Sequence, residues 1–308
     1  MRALRVTLAV GGSAAVMLLT GLAGVAGATY PGSTNGRLAF GTGQDGNVDT
    51  YSVLPNGRAV HRLTGDPAFE GCPAYSADGR FISYCSSAGA APGVTEIWVM
   101  KQNGTDQRAV TDLRGFSTFP DFSPSGRTIA FTTSPNPLTP TDIATIGTDG
   151  TGLRMLTSDP GADRFPAYSP DGRRIAFLSD RTGIFQVWLM DADGANQIQL
   201  TFDAAPKDQV PDWSPDGSRI AYLAIARGGP GGDIWIMNAD GSNQHPITSG
   251  PSNLFGTAWS PDGTQIATLD LTTRTVELLN LETGILSPLA PFGVQFVPAW
   301  QPRGARLR

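Results

Sequence analysis

One short block returns six times along this chain, and its spacing limits the fold more than any other feature. It reads Pro73-Ala74-Tyr75-Ser76-Ala77-Asp78-Gly79, then Pro120-Asp121-Phe122-Ser123-Pro124-Ser125-Gly126 and Pro166-Ala167-Tyr168-Ser169-Pro170-Asp171-Gly172. Pro211-Asp212-Trp213-Ser214-Pro215-Asp216-Gly217 and Ala258-Trp259-Ser260-Pro261-Asp262-Gly263 follow, with Pro298-Ala299-Trp300-Gln301-Pro302-Arg303-Gly304 a degenerate last copy. The aromatic residues at 75, 122, 168, 213, 259 and 300 are spaced by 47, 46, 45, 46 and 41. A period in the forties marks a propeller or a solenoid, in which each repeat buries its faces only against its neighbours.

Each repeat reads as four short strands. The aromatic block is the first, and Ser-Pro-Asp-Gly suits the turn after it, because proline presets φ and glycine accepts a positive φ. Arg127-Thr128-Ile129-Ala130-Phe131 and Arg174-Ile175-Ala176-Phe177 are second strands. Third strands are solid apolar runs such as Ile97-Trp98-Val99-Met100 and Val187-Trp188-Leu189-Met190, as expected for a strand held between two neighbouring sheets. Turns at Asp193-Gly194 and Asp240-Gly241 lead to fourth strands that end in Leu200-Thr201 or Ile247-Thr248. Four antiparallel strands per repeat make one propeller blade.

The chain ends predict how the ring closes. Second-strand sequence, Arg37-Leu38-Ala39-Phe40, comes early without a good aromatic block before it, whereas Pro298 to Gln301 is an aromatic block with no second strand after it. The expected fold is therefore all-β: a six-bladed β-propeller of four-stranded antiparallel blades, closed by the C-terminal strand joining the N-terminal blade. An open array would leave apolar faces and unpaired strand edges in water. The predicted organisation is a signal peptide over 1–28, a lead-in over 29–36, the propeller over 37–304 and a tail over 305–308.

The signal peptide rests on Arg2 and Arg5, the uncharged run from Val6, and the small-x-small pattern Ala26-Gly27-Ala28 before the expected cleavage. An uncleaved membrane anchor is the alternative reading. Cleavage leaves 20 Lys and Arg against 27 Asp and Glu, a formal charge of −7. With no basic run, a nucleic-acid partner lacks its electrostatic footprint. Cys72 and Cys85 flank the first tight turn in what is expected to be an oxidising compartment. A two-residue loop at Asp78-Gly79 would set them opposite each other; a type I turn with a glycine bulge would put them on opposite faces. A disulfide and two buried thiols both stay open.

The succession Ser-Pro-Asp-Gly, Ile-Ala-Phe, Ile-Trp-Val-Met, Ala-Asp-Gly and Leu-Thr resembles the TolB-type propeller repeat over essentially all of residues 36–304. That resemblance implies the fold, a setting in the bacterial envelope and docking of a protein partner. TolB also carries an α/β domain ahead of its propeller, for which residues 29–36 leave no room.

Strand order sorts the loops. The tight turns share one face of the disc; the second-to-third-strand loops and the connections between blades share the other. The second face is irregular and long-looped, over Ser86 to Val94, Thr133 to Thr141 and Ala226 to Gly232. Loops on a rigid scaffold carry most binding sites. Glu70, Arg114, Arg164, Arg181, Lys207, Asp208 and Arg227 are the candidate partner contacts, against the alternative of ordinary solvated charge.

Asp121 and Asp212 precede the innermost aromatics, where carboxylates near a channel could hold Ca²⁺. Ala74, Ala167 and Ala299 stand at the corresponding positions, so no ligand ring repeats, and hydrogen bonds to neighbouring strands or trapped water are preferred; no cofactor is expected. His61 and His245 fall on fourth strands of different repeats, and no Gly-x-Ser-x-Gly occurs. The favoured reading is an exported, secreted, periplasmic or envelope-associated monomer with no membrane span after cleavage. It binds a protein, peptide or glycan through the irregular face without catalysis. The alternatives are a metal-dependent hydrolase or lyase centred in the channel and a scaffold component of a TolB-like envelope complex.

Overall fold

A computed structural model describes residues 33–43, 46–136, 139–205, 207, 210–225, 231–249, 253–291, 293–296 and 298–304. The expected signal peptide, the first half of the lead-in and the tail lie outside the described residues. Among the described residues every regular element is a strand, and the fold is an all-β propeller with antiparallel four-stranded blades.

Four blades are separate sheets. The first runs from Ala299–Arg303 through Thr34–Thr42 and Asp49–Val53 to His61–Arg62. The second, third and fourth begin with the innermost strands Glu70–Tyr75, Phe116–Phe122 and Asp163–Tyr168, and each runs outward in chain order. The expectation of six separate blades needs correction: the remaining eight strands, from Asp212–Trp213 to Leu286–Pro291, form one sheet. The cause is local. Gly232, at the start of the strand Gly232–Asn238, pairs with Leu254 at the start of the innermost strand Leu254–Trp259, and that pair joins two four-stranded halves. A Cβ at Gly232 would stand 2.2 Å from the Ala224 carbonyl oxygen, so the close approach needs glycine there.

The innermost strands of the four blades and of the two halves touch one another in a closed cycle. The tail strand closes it. Leu38 pairs with Trp300 and Ala39 with Ala299. Trp300 Nε1 donates to the Ala258 carbonyl on one side at 3.1 Å, and Gln301 Nε2 donates to the Gly79 carbonyl on the other at 2.9 Å. This strand therefore binds three sheets at once.

Two devices repeat from blade to blade. In the turns after four of the six aromatic blocks, the serine hydroxyl donates to the aspartate two residues on and accepts the backbone N–H five residues on. Ser76 with Asp78 and Phe81, and Ser169 with Asp171 and Arg174, show the pattern. The second device uses the threonine of Leu-Thr or its equivalent. Thr64, Thr111, Thr157, Thr201 and Thr248 accept the backbone N–H of Thr50, Ile97, Ile143, Val187 and Ile234 at 2.8–3.0 Å. Each then donates to the side chain that opens the third strand: Asp49, Glu96, Asp142, Gln186 or Asp233. The fourth strands are only two residues long in the first blades, so this clasp supplies hydrogen bonding that a short ladder lacks.

A bulge kinks four innermost strands. Register shifts lie between Gly71 and Ala74, Thr118 and Asp121, Arg164 and Ala167, and Phe255 and Ala258. Cys72 (φ 46°), Phe119 (φ 53°), Phe165 (φ 58°) and Gly256 (φ 73°) take the left-handed conformation there. For a residue with a Cβ this costs roughly 1–2 kcal/mol. Edge-on packing of the Phe119 and Phe165 rings, 4.5 Å apart, offsets part of it.

The bulge decides the cysteines. Near the turn Tyr75 pairs with Ile82 and Ala74 with Ser83, but beyond it Cys85 faces Gly71. Cys72 sits within the bulge, and its sulfur bonds to that of Cys85 with the Cα atoms 5.8 Å apart. Neither simple hairpin register describes this geometry, because the extra residue lies in the strand rather than in the turn.

Candidate functional site

The charges picked from the loops separate once their partners are visible. Glu70 is buried on the innermost strand of the second blade, with Oε2 lacking any hydrogen-bond partner. Burial pushes its carboxyl up to about 7; the hydrogen bond from Thr64 opposes this, and the charges of Asp49 and Asp66 add to it. Lys207 is buried as well. Its Nζ meets both carboxylate oxygens of Asp203 at 2.7 and 2.8 Å and the Ala205 carbonyl at 3.0 Å, and it lies 5.9 Å from the centre of the Tyr222 ring. Arg181 is bound to Asp163 at 2.9 Å and Asp159 at 2.8 Å, and its guanidinium stacks 4.6 Å over Trp188. The charges of Lys207 and Arg181 are thus met by aspartates of their own blade connections and strands, whereas the Glu70 carboxyl is buried with one oxygen unmet.

Arg164 is half-buried, its guanidinium 5.0 Å from the centre of the Phe185 ring. Arg114 is exposed: its backbone takes φ 55° and donates to Glu96 Oε1, and its side chain stands 3.6 Å from Asp112. An ion pair this exposed contributes little to stability, so among the described candidate cations the Arg114 side chain is the one least held by the fold. Asp208 and Arg227 lie outside the described residues.

An apolar pair was not visible to a search for charges. Phe202 is 74% exposed in the connection that leaves the fourth blade, and Ile184 is 38% exposed in that blade's second-to-third-strand loop. Two bonds clamp these segments together: the Lys207 N–H donates to the Phe185 carbonyl, and Gln186 Nε2 donates to the Asp203 carbonyl. Both residues thus belong to one braced part of the irregular face, which also carries Phe185 with Arg164 over its ring. The signal lay in Leu200-Thr201-Phe202-Asp203, where an aromatic directly follows the clasp threonine.

The channel aspartates are committed to backbone. Asp121 Oδ2 accepts the Tyr168 N–H at 2.7 Å; Asp212 accepts the N–H of Trp213 at 2.9 Å and of Trp259 at 2.5 Å. Burial raises the Asp212 pKa well above the usual carboxylate value, and the Asp121 charge adds to the rise. Among the described residues no three His, Cys, Asp or Glu side chains gather so as to hold a metal ion. His61 and His245 lie on exposed outer strands of different sheets.

Residues 91–231 match the family described as TolB beta propeller domain. That stretch carries TolB-type propeller repeats. The likeness of the TolB-type fold extends beyond that stretch. A crystal structure of TolB from Acinetobacter baumannii matches with TM-score 0.72 at 21% identity, covering 89% of this chain and 68% of that one. A putative TolB from Agrobacterium tumefaciens matches with TM-score 0.65 at 20% identity, over 88% of this chain and 91% of that one. An oligogalacturonate lyase from Vibrio parahaemolyticus matches with TM-score 0.58 at 16% identity, over 88% and 80% of the respective chains. Identities this low establish the fold alone. No curated protein matches the chain in sequence.

Proposed function

We propose that this is an exported binding propeller of six blades, which captures a protein, peptide or glycan partner through its irregular loop face without catalysing a reaction. The six-blade count treats the eight-stranded sheet as two blades bridged by Gly232 and Leu254, and the closed cycle of innermost strands supports it. Export rests on the sequence of residues 1–28 and on the envelope setting of the TolB-type family. The observation that carries the binding reading is the braced apolar pair, Phe202 and Ile184, with Arg164 stacked on Phe185 beside it. Exposed aromatic and aliphatic side chains on a fixed loop, next to an arginine, are the composition of an interface centre.

The test is affinity capture from envelope extracts and culture fluid with the chain from residue 29 onward, against a variant carrying Phe202→Ser and Ile184→Ser. Partners recovered by the parent and lost by the variant support the reading; equal recovery by both removes this face from it.

The likeness to a lyase propeller favours a second reading, catalysis in the channel with a bound metal. Metal analysis together with a turnover screen on lactones and uronides separates the two. Stoichiometric Ca²⁺ or Mn²⁺ with turnover would replace the binding reading.

A further inference from the structure

The opposite face holds a feature that the partner surface does not use. Between the first and second blades, on the side of the tight turns, lies a groove of about 350 Å³ lined by Arg37, His61, Arg80, Phe81, Lys101 and Gln102 among others. Among the described residues no carboxylate lines it. This is unusual in a chain with 27 acidic against 22 basic residues.

The cations are held in ways that leave their charge available. Arg37 is fixed by neutral acceptors, the Ser52 hydroxyl and the Ser52 and Ala59 carbonyls, so its position is set while its charge stays uncompensated. Arg303, on the closing strand, is near enough that its charge adds to the effect of burial in lowering the Arg37 pKa. Arg80 is exposed, and among the described residues no acceptor meets its guanidinium. Lys101 pairs with Asp106 at 2.6 Å, but both are more than half exposed, so a better-placed anion displaces that contact at small cost. Two further groups extend the chemistry beyond charge: Phe81 is 37% exposed, and Gln102, whose Oε1 accepts from Gln301 Nε2, brings an amide N–H₂.

We propose that this groove is a binding site for an acidic sugar, a carboxylate- or sulfate-bearing saccharide segment distinct from the partner on the irregular face. Arg80 and Lys101 take the anionic group in charge-assisted hydrogen bonds, with Arg37 supplying fixed positive potential. Phe81 offers an apolar surface to the C–H face of a sugar ring, and Gln102 meets a hydroxyl. The volume stands at the lower end of the range for small-ligand sites and is too small for a folded partner. The site spans the closing blade and its neighbour, so ligand in the groove also braces the ring junction made by Gln301 and Gly79.

Calorimetric titration of the chain from residue 29 onward with a glucuronate-containing tetrasaccharide tests this. The neutral methyl ester of the same sugar and a glutamate-rich peptide of equal charge serve as comparison ligands. Binding of the acidic sugar is expected to fall roughly ten-fold or more in an Arg80→Ala, Lys101→Ala double variant, and by a similar factor for the ester. It is expected to be unchanged by Phe202→Ser, which separates the result from the partner reading. Arg80→Gln alone, with melting temperature checked against the parent, guards against a folding artefact. No binding, equal binding of the ester, an unaffected Arg80 variant, or a peptide that binds as tightly as the sugar would each overturn the proposal.

Discussion

The carboxylate of Asp212 accepts the backbone N–H of Trp259, 47 residues further along, at 2.5 Å, while its other oxygen holds the N–H of Trp213. One buried side chain thus joins the two halves of the eight-stranded sheet near the axis. Asp121 does the same toward Tyr168 two repeats earlier. Where alanine takes this position, as at Ala74 and Ala167, such a bond has no donor or acceptor in the side chain to make it. Asp212→Ala strands two buried N–H groups, each costing about 1–3 kcal/mol, so the expected loss is roughly 2–6 kcal/mol. Asp212→Asn keeps one acceptor oxygen and is expected to lose less. Urea denaturation of the two variants checks the order; equal loss would mean that the carboxylate oxygens do not act separately.

Glu70 gives a pH dependence with a definite sign. Its carboxyl titrates at about 7 in the folded chain against an ordinary value of 4.5, so between those values the folded state keeps a proton that the unfolded state has released. The stability tied to that proton is complete below about pH 4.5 and is lost as pH rises towards 7, after which the deficit is constant. Glu70→Gln removes the ionisation and can donate to the neighbouring carboxylates. Its advantage over the parent is expected to grow across this window by roughly 1–3 kcal/mol. Melting temperatures measured at pH 5 and pH 8 test it, and a difference that does not change with pH would refute the assignment.

The Cys72–Cys85 bond closes a loop with a sequence separation of 13. Restricting the unfolded chain to that extent is worth about 3 kcal/mol. A Cys72→Ser, Cys85→Ser variant is expected to melt roughly 5–10 °C below the parent, and reductant is expected to lower the parent towards it. A parent indifferent to reductant in thermal scans would show that the sulfurs are not joined in solution.

How much of this was readable from residues alone follows from which forces are local. Ser-Pro-Asp-Gly sets its own turn through side-chain bonds spanning two and five residues, so those turns and the strands around them were legible. The closing role of Trp300 was legible because a first strand without a second must find one elsewhere. The bulges were not, since Cys72, Phe119 and Phe165 adopt a conformation that their residue types do not advertise, and Gly256 alone carries the usual mark. The pairing of Lys207 and Arg181 was hidden for a related reason. A charge in a loop looks free until the fold brings Asp203 or Asp163 to it, and Arg181 meets Asp163 only because the blade folds back on itself. The joining of two blade-like halves turns on Gly232 and Leu254, a single pair that no periodicity announces.

Ring closure yields the last prediction. Trp300 is 1% exposed and donates through Nε1 to the Ala258 carbonyl at 3.1 Å, while its backbone lies beside Leu38. Trp213 is buried alike and donates to the Ala167 carbonyl at 3.2 Å, but it belongs to a strand continuous with its own sheet. Replacing either tryptophan with alanine is expected to cost about 3–5 kcal/mol. What distinguishes them is where the structure loosens. In Trp300→Ala the strand pairing of residues 34–39 loses its anchor, so their amides should exchange with solvent faster than the rest of the sheet. In Trp213→Ala those amides should follow global unfolding. Native-state hydrogen exchange on both variants reads this directly, and identical protection of residues 34–39 in the two would show that the closing strand is held by something other than Trp300.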